Sequence, residues 1–155
     1  MNIWMHFLEV ELVKKYLSPT DVMLEWGSGG STIEFSPLTK EYYSIEHVGD
    51  WYEDVKKELI SRGLNSKVQN FLVEPNFPRT IPTKYKEFQS YVEKPKEFNT
   101  NFDKVLIDGR GRQFCAIFIL KYLNPTSKVF IHDFWVRPQY HYLLNWYDEV
   151  ESIKN

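Results

Sequence analysis

The stretch Val22-Met-Leu-Glu-Trp-Gly-Ser-Gly-Gly-Ser-Thr32 decides the fold. Three apolar residues, Val22, Met23 and Leu24, lead into a carboxylate, Glu25, and then into a glycine turn at Gly27, Gly29 and Gly30. The apolar run reads as a buried β-strand. The turn reads as a loop that approaches a ligand closely, because glycine reaches positive φ cheaply and has no side chain to hold a ligand away. Ser31 and Thr32 follow at once. Ser31 is placed to cap a helix whose first N–H groups favour anionic partners. A glycine turn that only shapes a β-α connection is the plainer alternative.

Outward from this stretch, apolar runs alternate with amphipathic ones. Trp4, Leu8, Leu12 and Val13 have helical spacing over residues 4–17, ended by Ser18-Pro19. Strands are expected at about 21–26, 42–46, 67–73, 104–108 and 128–132. Between them the spacing predicts a short helix to about Ser36-Pro37, a helix over 50–61 that stops at Gly63, and an apolar helix over about 112–123. A loop and helix are expected from Asp133 to about Tyr147, and residues 149–153 read as the start of a sixth strand. Alternation of this kind predicts one α/β domain over 1–155, a Rossmann-like, doubly wound sheet of mainly parallel strands, about five to six in number. The long segment 74–101 interrupts the pattern. Tyr85, Phe88 and Val92 are spaced for one helix face there, and Tyr91 and Phe98 with them offer an alternative lid.

Sheets of this type bind ligands beyond the carboxyl ends of their strands, where the strand order switches. Glu25, Glu46, Asp108 and Asp133 all fall at or just past an expected strand end. Four such carboxylates are hard to account for as solvated surface charges. Glu46 lies 21 positions after Glu25, where a carboxylate can accept both hydroxyls of a ribose. Its plainer role is to favour the N-terminus of the 50–61 helix. His47 and Val48 would flank the base of such a nucleoside.

The arrangement acidic-x-Gly-x-Gly at Glu25, Gly27 and Gly29 resembles motif I of the class I S-adenosylmethionine methyltransferases. A dinucleotide loop, Gly-x-Gly-x-x-Gly, would need its third glycine at Thr32, and the carboxylate before Gly27 is no part of that fingerprint. The segments Val105-Leu-Ile-Asp-Gly-Arg110 and Val129-Phe-Ile-His-Asp-Phe134 are similar to the ends of strands four and five in small-molecule, macrocin-type O-methyltransferases. The likeness covers about residues 21–141. It implies that Gly27, Ser28, Gly29, Gly30, Ser31 and Thr32 bind S-adenosylmethionine together with Glu25, Glu46, His47 and Asp108, with Glu25 facing the cofactor's ammonium group. It also implies that Asp108, His132 and Asp133 frame the reaction. Two departures stand out: Gly111-Arg112 replace the histidine usual after the strand-four Asp-Gly, and the family's sheet continues through a sixth and a seventh strand.

Asp108 and Asp133 are candidates for Mg²⁺, a hard cation that takes a few carboxylates and keeps its waters. Alternatively Asp133 or His132 acts directly as general base, or Asp133 caps the following helix. Arg110, Arg112 and Arg137, with Tyr140, fall in loops at the expected ligand edge. Arginine forks suit carboxylates and phosphates, so an acidic small molecule or sugar is one expected acceptor, and salt bridges to neighbouring acids are the other use of these arginines. Trp135 and His141 are further pocket candidates.

Composition narrows the classes. At 155 residues, 43% hydrophobic and 26% charged, the chain has the content of one globular domain with a real core. A net charge of −2 gives no broad basic field, so nucleic acid is not the expected partner. Lys84, Lys86, Lys94 and Lys96 form a local basic patch diluted by Glu87, Glu93 and Glu97. No apolar run reaches the length of a membrane span, and no signal peptide is indicated. The one cysteine, Cys115, sits in an apolar run and reads as a small buried hydrophobe. A cytoplasmic location is expected. Two other function classes stay open: a nucleotide- or dinucleotide-binding oxidoreductase, and a non-catalytic methyltransferase-fold interaction subunit. In the latter, the sheet edge is completed by a partner, such as a second copy in a homo-oligomer.

Overall fold

The structure, a computed structural model, describes residues 1–77 and 85–153; Lys84 and the neighbouring part of the long segment lie outside these. Ten elements build the domain: α1 (Phe7–Tyr16), β1 (Val22–Trp26), α2 (Gly30–Phe35), β2 (Glu41–Glu46), α3 (Gly49–Ser61), β3 (Val68–Leu72), α4 (Gln89–Glu93), β4 (Phe102–Ile107), α5 (Arg112–Ile119) and β5 (Leu123–Ile131). The strands form one parallel sheet in the order β3-β2-β1-β4-β5. The order therefore reverses between β1 and β4, and that switch lies beside the glycine turn.

Alternation along the strands divides the core into two layers. Leu24 and Trp26, Tyr43 and Ile45, and Val105 and Ile107 point to one face, where they pack with Phe88, Tyr91, Cys115 and Ile119. Met23, Tyr42 and Leu106 point to the other, against Val10, Val13, Val55 and Leu59 of α1 and α3. The odd position on this second face is Glu25, which lies opposite Ser44 in the β1–β2 register. Truncating one of the fully buried members, as in Leu106→Ala, removes about 2–5 kcal/mol.

Cys115 is fully buried in the first layer. In the long segment the helix is short, Gln89–Glu93 flanked by 3-10 turns, and Phe88, Tyr91 and Val92 are buried beneath it. Phe88, Tyr91 and Val92 thus pack as core rather than as a lid. The C-terminus departs from expectation. Residues 133–147 hold a 3-10 helix, Pro138–Asn145, and residues 149–153 form no strand. The chain instead turns away from β5 because Leu143 is buried in the core and the Tyr147 hydroxyl donates to the Ala116 carbonyl at 2.7 Å. It then reaches α1, where Glu151 accepts from Lys15 at 2.6 Å and from the Tyr16 hydroxyl at 2.7 Å. Five parallel strands result, and β5 is an edge strand that carries Pro125 and Lys128, two residues that discourage edge pairing. Among the described residues no helix is long and apolar enough to cross a membrane.

Candidate functional site

Glu25 is fully buried under the glycine loop. Its carboxylate accepts hydrogen bonds from the hydroxyls of Ser31, of Thr32 at 2.5 Å and of Ser44 at 3.0 Å. Thr32 in turn takes the Gly29 N–H at 2.9 Å. The loop is thus held from below by one acid through three hydroxyls. Burial pushes the Glu25 carboxyl up to about 7, against the opposing pull of those hydroxyls. The sequence expectation that Glu25 faces a ligand's ammonium group is not met in this geometry: its oxygens are turned onto Ser31, Thr32 and Ser44, and neither Glu25 nor Thr32 lines either of the two cavities described below. At Gly27 the backbone is left-handed, φ +96°, and a Cβ would lie 2.8 Å from the Gly109 nitrogen, so β1 and β4 close on each other only through glycine.

Above this loop lies a cavity of about 460 Å³ at the switch in strand order. Gly27, Ser28, Gly29, Gly30 and Ser31 form its floor, and Glu46, His47 and Trp51 one wall. Glu46 is buried, and its Oε1 accepts the N–H groups of His47 at 2.7 Å and of Val48 at 2.9 Å. Both bonds use one oxygen. The His47 ring stands edge-on to Phe88 and Tyr91, with centroids 5.7 and 5.4 Å away. Its Nδ1 is 2.9 Å from Glu46 Oε1, yet neither ring nitrogen makes a hydrogen bond among the described residues.

The spacing argument missed two features of this cavity. Trp51, in the helix expected over 50–61, donates its Nε1–H to the Ser28 carbonyl at 2.6 Å and fixes the loop. The segment Asn2–Trp4 lines the opposite side, and a Cβ on Gly30 would lie 2.4 Å from the Asn2 carbonyl oxygen. Trp4 stacks on Trp51 with centroids 5.5 Å apart. A tryptophan just inside a helix after a strand-end acid is the only local signal that could have pointed to either.

Asp108 and Asp133 meet through Arg112, not through a metal. The Arg112 guanidinium lies 3.0 Å from Asp108 Oδ1 and 3.2 Å from Asp133 Oδ2, and also donates to the carbonyls of Asp108, Gly109 and His132. A fixed cation thus already occupies the place between the two carboxylates. No group of three or more His, Cys, Asp or Glu side chains placed to hold a metal occurs among the described residues. The pair does not fit Mg²⁺, which corrects that expectation. Arg112 instead clamps the end of β4 to the end of β5.

His132 sits on the same clamp. Its Nδ1 is 2.7 Å from Asp108 Oδ1, and its Nε2 is 3.6 Å from Glu9 and 3.7 Å from Asp133. The hydrogen bond to Asp108 raises the imidazole above its ordinary value, with Asp133 and Glu9 adding to the effect and burial opposing it. Asp133 holds a left-handed backbone at φ +59°. Burial alone would raise its carboxyl, but Arg137, His132 and Arg112 outweigh that and lower it.

His132 lines the loop cavity and also a second cavity of about 250 Å³. This second space opens between α1, the end of β5 and the C-terminal segment, with Met5, Leu12, Phe130, Phe134 and Leu144 as apolar walls. Trp135 is part of it as well. The imidazole therefore presents Nδ1 towards the loop cavity, where Asp108 lies, and Nε2 towards the second, where Glu9 and Asp133 lie.

The remaining expected site residues are scattered. Arg110 lines the loop cavity. Arg137 is half exposed, pairs with Asp133 at 3.0 Å and lines neither cavity. Tyr140 is buried in the hydrophobic core and lines neither; His141 packs against Phe134 and Trp135 outside the cavities.

No protein-family model matches this chain, and no curated protein matches it. Solved structures do. A methyltransferase-like protein from Silicibacter pomeroyi is 25% identical with a TM-score of 0.74, over 93% of this chain and 79% of that one. A precorrin-8W decarboxylase from Methanobacterium thermoautotrophicum is 15% identical, TM-score 0.64, over 84% of this chain, which spans 64% of that protein's length. An rRNA methylase from Streptococcus thermophilus is 12% identical, TM-score 0.60, over 91% and 76%. The five-stranded parallel sheet with helices on both faces is thus the Rossmann-like α/β fold found in methyltransferases.

Proposed function

We propose that this protein is an S-adenosylmethionine-dependent methyltransferase that methylates a hydroxyl of a small molecule. The loop cavity suits the nucleoside and methionyl parts of the cofactor. It offers a close backbone floor, a strand-end carboxylate at Glu46 with Oε2 left for a ribose hydroxyl, and His47 and Trp51 as flat neighbours. Bound there, S-adenosylmethionine supplies its methyl group already activated as a sulfonium.

The observation that carries the reading is His132, which stands between the two cavities. Asp108 holds Nδ1 and so fixes the tautomer that leaves the Nε2 lone pair towards the second cavity. An acceptor hydroxyl there gives its proton to Nε2 as its oxygen gains the methyl group. The imidazolium so formed is stabilised by Asp108, Asp133 and Glu9. Little else is asked of the protein than this proton transfer and in-line positioning. The enclosed size of the second cavity and the net charge of −2 favour a small acceptor over RNA.

Calorimetric titration with S-adenosylhomocysteine tests the cofactor half. Wild-type protein is expected to bind it in the micromolar range, and Glu46→Ala, which removes the charge-assisted ribose bond to Oε2, to weaken binding by about tenfold or more. Equal affinity in the two proteins would refute the ribose role of Glu46.

A further inference from the structure

The charge of the second cavity is one-sided. Its walls include five carboxylates, Glu9, Asp133, Asp148, Glu149 and Glu151, and no lysine or arginine among the described residues. Two of the five are compensated: Asp133 pairs with Arg112 and Arg137, and Glu151 with Lys15. Glu9, Asp148 and Glu149 have no lysine or arginine within ion-pair distance among the described residues. Glu9 is also held in place, because its carboxylate accepts the His6 N–H at 2.9 Å in the capping box of α1. It lies 3.6 Å from the Nε2 that would take the acceptor's proton.

The rest of the lining is apolar and aromatic. Phe134 and Trp135 stand perpendicular with centroids 5.3 Å apart, and both line the space. Aromatic faces beside carboxylates attract organic cations by their quadrupoles, and they repel nothing in a neutral ring. An anion, by contrast, would enter a space whose fixed carboxylates share its sign and whose one basic side chain among the described residues, His132, is already held by Asp108 and faced by Glu9 and Asp133. Of the arginines at the ligand edge, Arg112 is bound to Asp108 and Asp133, and Arg137 stays outside the cavity.

Resting on the methyltransferase reading above, we propose that the acceptor is a small, ring-bearing hydroxyl compound that carries an ammonium group. Its ring lies among Leu12, Phe130, Phe134 and Leu144, its hydroxyl at His132 Nε2, and its ammonium group towards Asp148 and Glu149 at the rim. An acidic sugar or phosphate ester, one of the two kinds of partner expected for the arginines, would meet no lysine or arginine among the described residues of this lining.

Three phenols of one shape and different charge test this: tyramine, a cation; 4-hydroxyphenylethanol, neutral; and 4-hydroxyphenylacetate, an anion. Each is titrated at pH 7 into protein saturated with S-adenosylhomocysteine, and the cofactor's own binding is recorded in the same series. Tyramine is expected to bind about tenfold or more tightly than the anion, with the neutral compound between. The double variant Asp148→Asn, Glu149→Gln is expected to shrink that ratio about threefold. Leu144→Trp, which fills the cavity from its partly exposed side, is expected to abolish binding of all three while S-adenosylhomocysteine still binds, which also reports that the variant is folded. A flat or reversed charge order, or no binding of any phenol to cofactor-saturated protein, overturns this proposal alone. Failure of S-adenosylhomocysteine to bind wild-type protein overturns the methyltransferase reading beneath it.

Discussion

Glu25→Gln offers a test of the buried carboxyl that needs no ligand. The side chain is fully buried beside three hydroxyls, and burial lifts its carboxyl from the ordinary 4.5 to about 7. Between those two values the folded protein keeps a proton that the unfolded chain has released. The stabilisation that the protonated form provides is complete below about pH 4.5 and is lost as pH rises through about 7. At 1.36 kcal/mol for each pH unit, the loss comes to about 3 kcal/mol. Glutamine has the same shape and does not titrate, and the hydroxyls of Ser31, Thr32 and Ser44 can rotate to meet an amide. The stability of Glu25→Gln relative to wild type should therefore rise by about 3 kcal/mol from pH 4.5 to pH 8. For a domain of this size that corresponds to roughly 6–12 °C in relative Tm. Urea unfolding followed by tryptophan fluorescence, at half-unit steps of pH, measures it. Every other titrating group cancels in the difference, unless it contacts Glu25. A difference that does not change with pH, or that falls as pH rises, would mean that Glu25 stays ionised in the folded protein and that the three hydroxyls, not burial, dominate its environment.

Other consequences follow from the same geometry. His132 should titrate above its ordinary 6.5 in histidine NMR spectra, and Asp108→Asn should bring it down, because the Asp108 hydrogen bond is the largest cause of its rise. The stability that this pair contributes is present below about pH 6.5 and fades as pH climbs through the raised value. Gly109→Ala places a Cβ 1.9 Å from the Tyr91 hydroxyl oxygen, a buried group without a hydrogen-bond partner; a loss of about 1–3 kcal/mol is expected. Tyr91→Phe should recover part of that loss in a double-mutant cycle, and additivity of the two changes would contradict the contact. Trp51→Phe removes the bond to the Ser28 carbonyl and should cost about 1 kcal/mol of stability together with several-fold of S-adenosylhomocysteine affinity, read by calorimetry.

The sheet was legible because apolar runs of strand length alternate with helical spacing along most of the chain. The strand-end positions of Glu25, Glu46, Asp108 and Asp133 were legible for the same reason, since a parallel sheet gathers the ends of β1, β2, β4 and β5 at one edge. What escaped the sequence is the direction in which a side chain points. Glu25 and Glu46 look alike as strand-end acids and both are buried, yet Glu25 is closed in by Ser31, Thr32 and Ser44, whereas Glu46 lines the loop cavity. Of the two uses open to Arg112, a ligand-binding fork or a salt bridge to neighbouring acids, the structure shows the second, and spacing alone could not choose because Asp108 and Asp133 are 4 and 21 residues away. Tyr140 read as a pocket residue, but the 3-10 helix turns it into the core. The second cavity was invisible, because it needs α1 and the C-terminal segment to meet over the end of β5, and only tertiary packing brings residues 5–13 against 143–153.

The most direct test of the account compares two ligands for the loop cavity. Wild-type protein is titrated by calorimetry with S-adenosylhomocysteine and, separately, with NADH. The account predicts micromolar binding of S-adenosylhomocysteine and none of NADH. Binding of NADH without S-adenosylhomocysteine would contradict it and make the cavity a dinucleotide site.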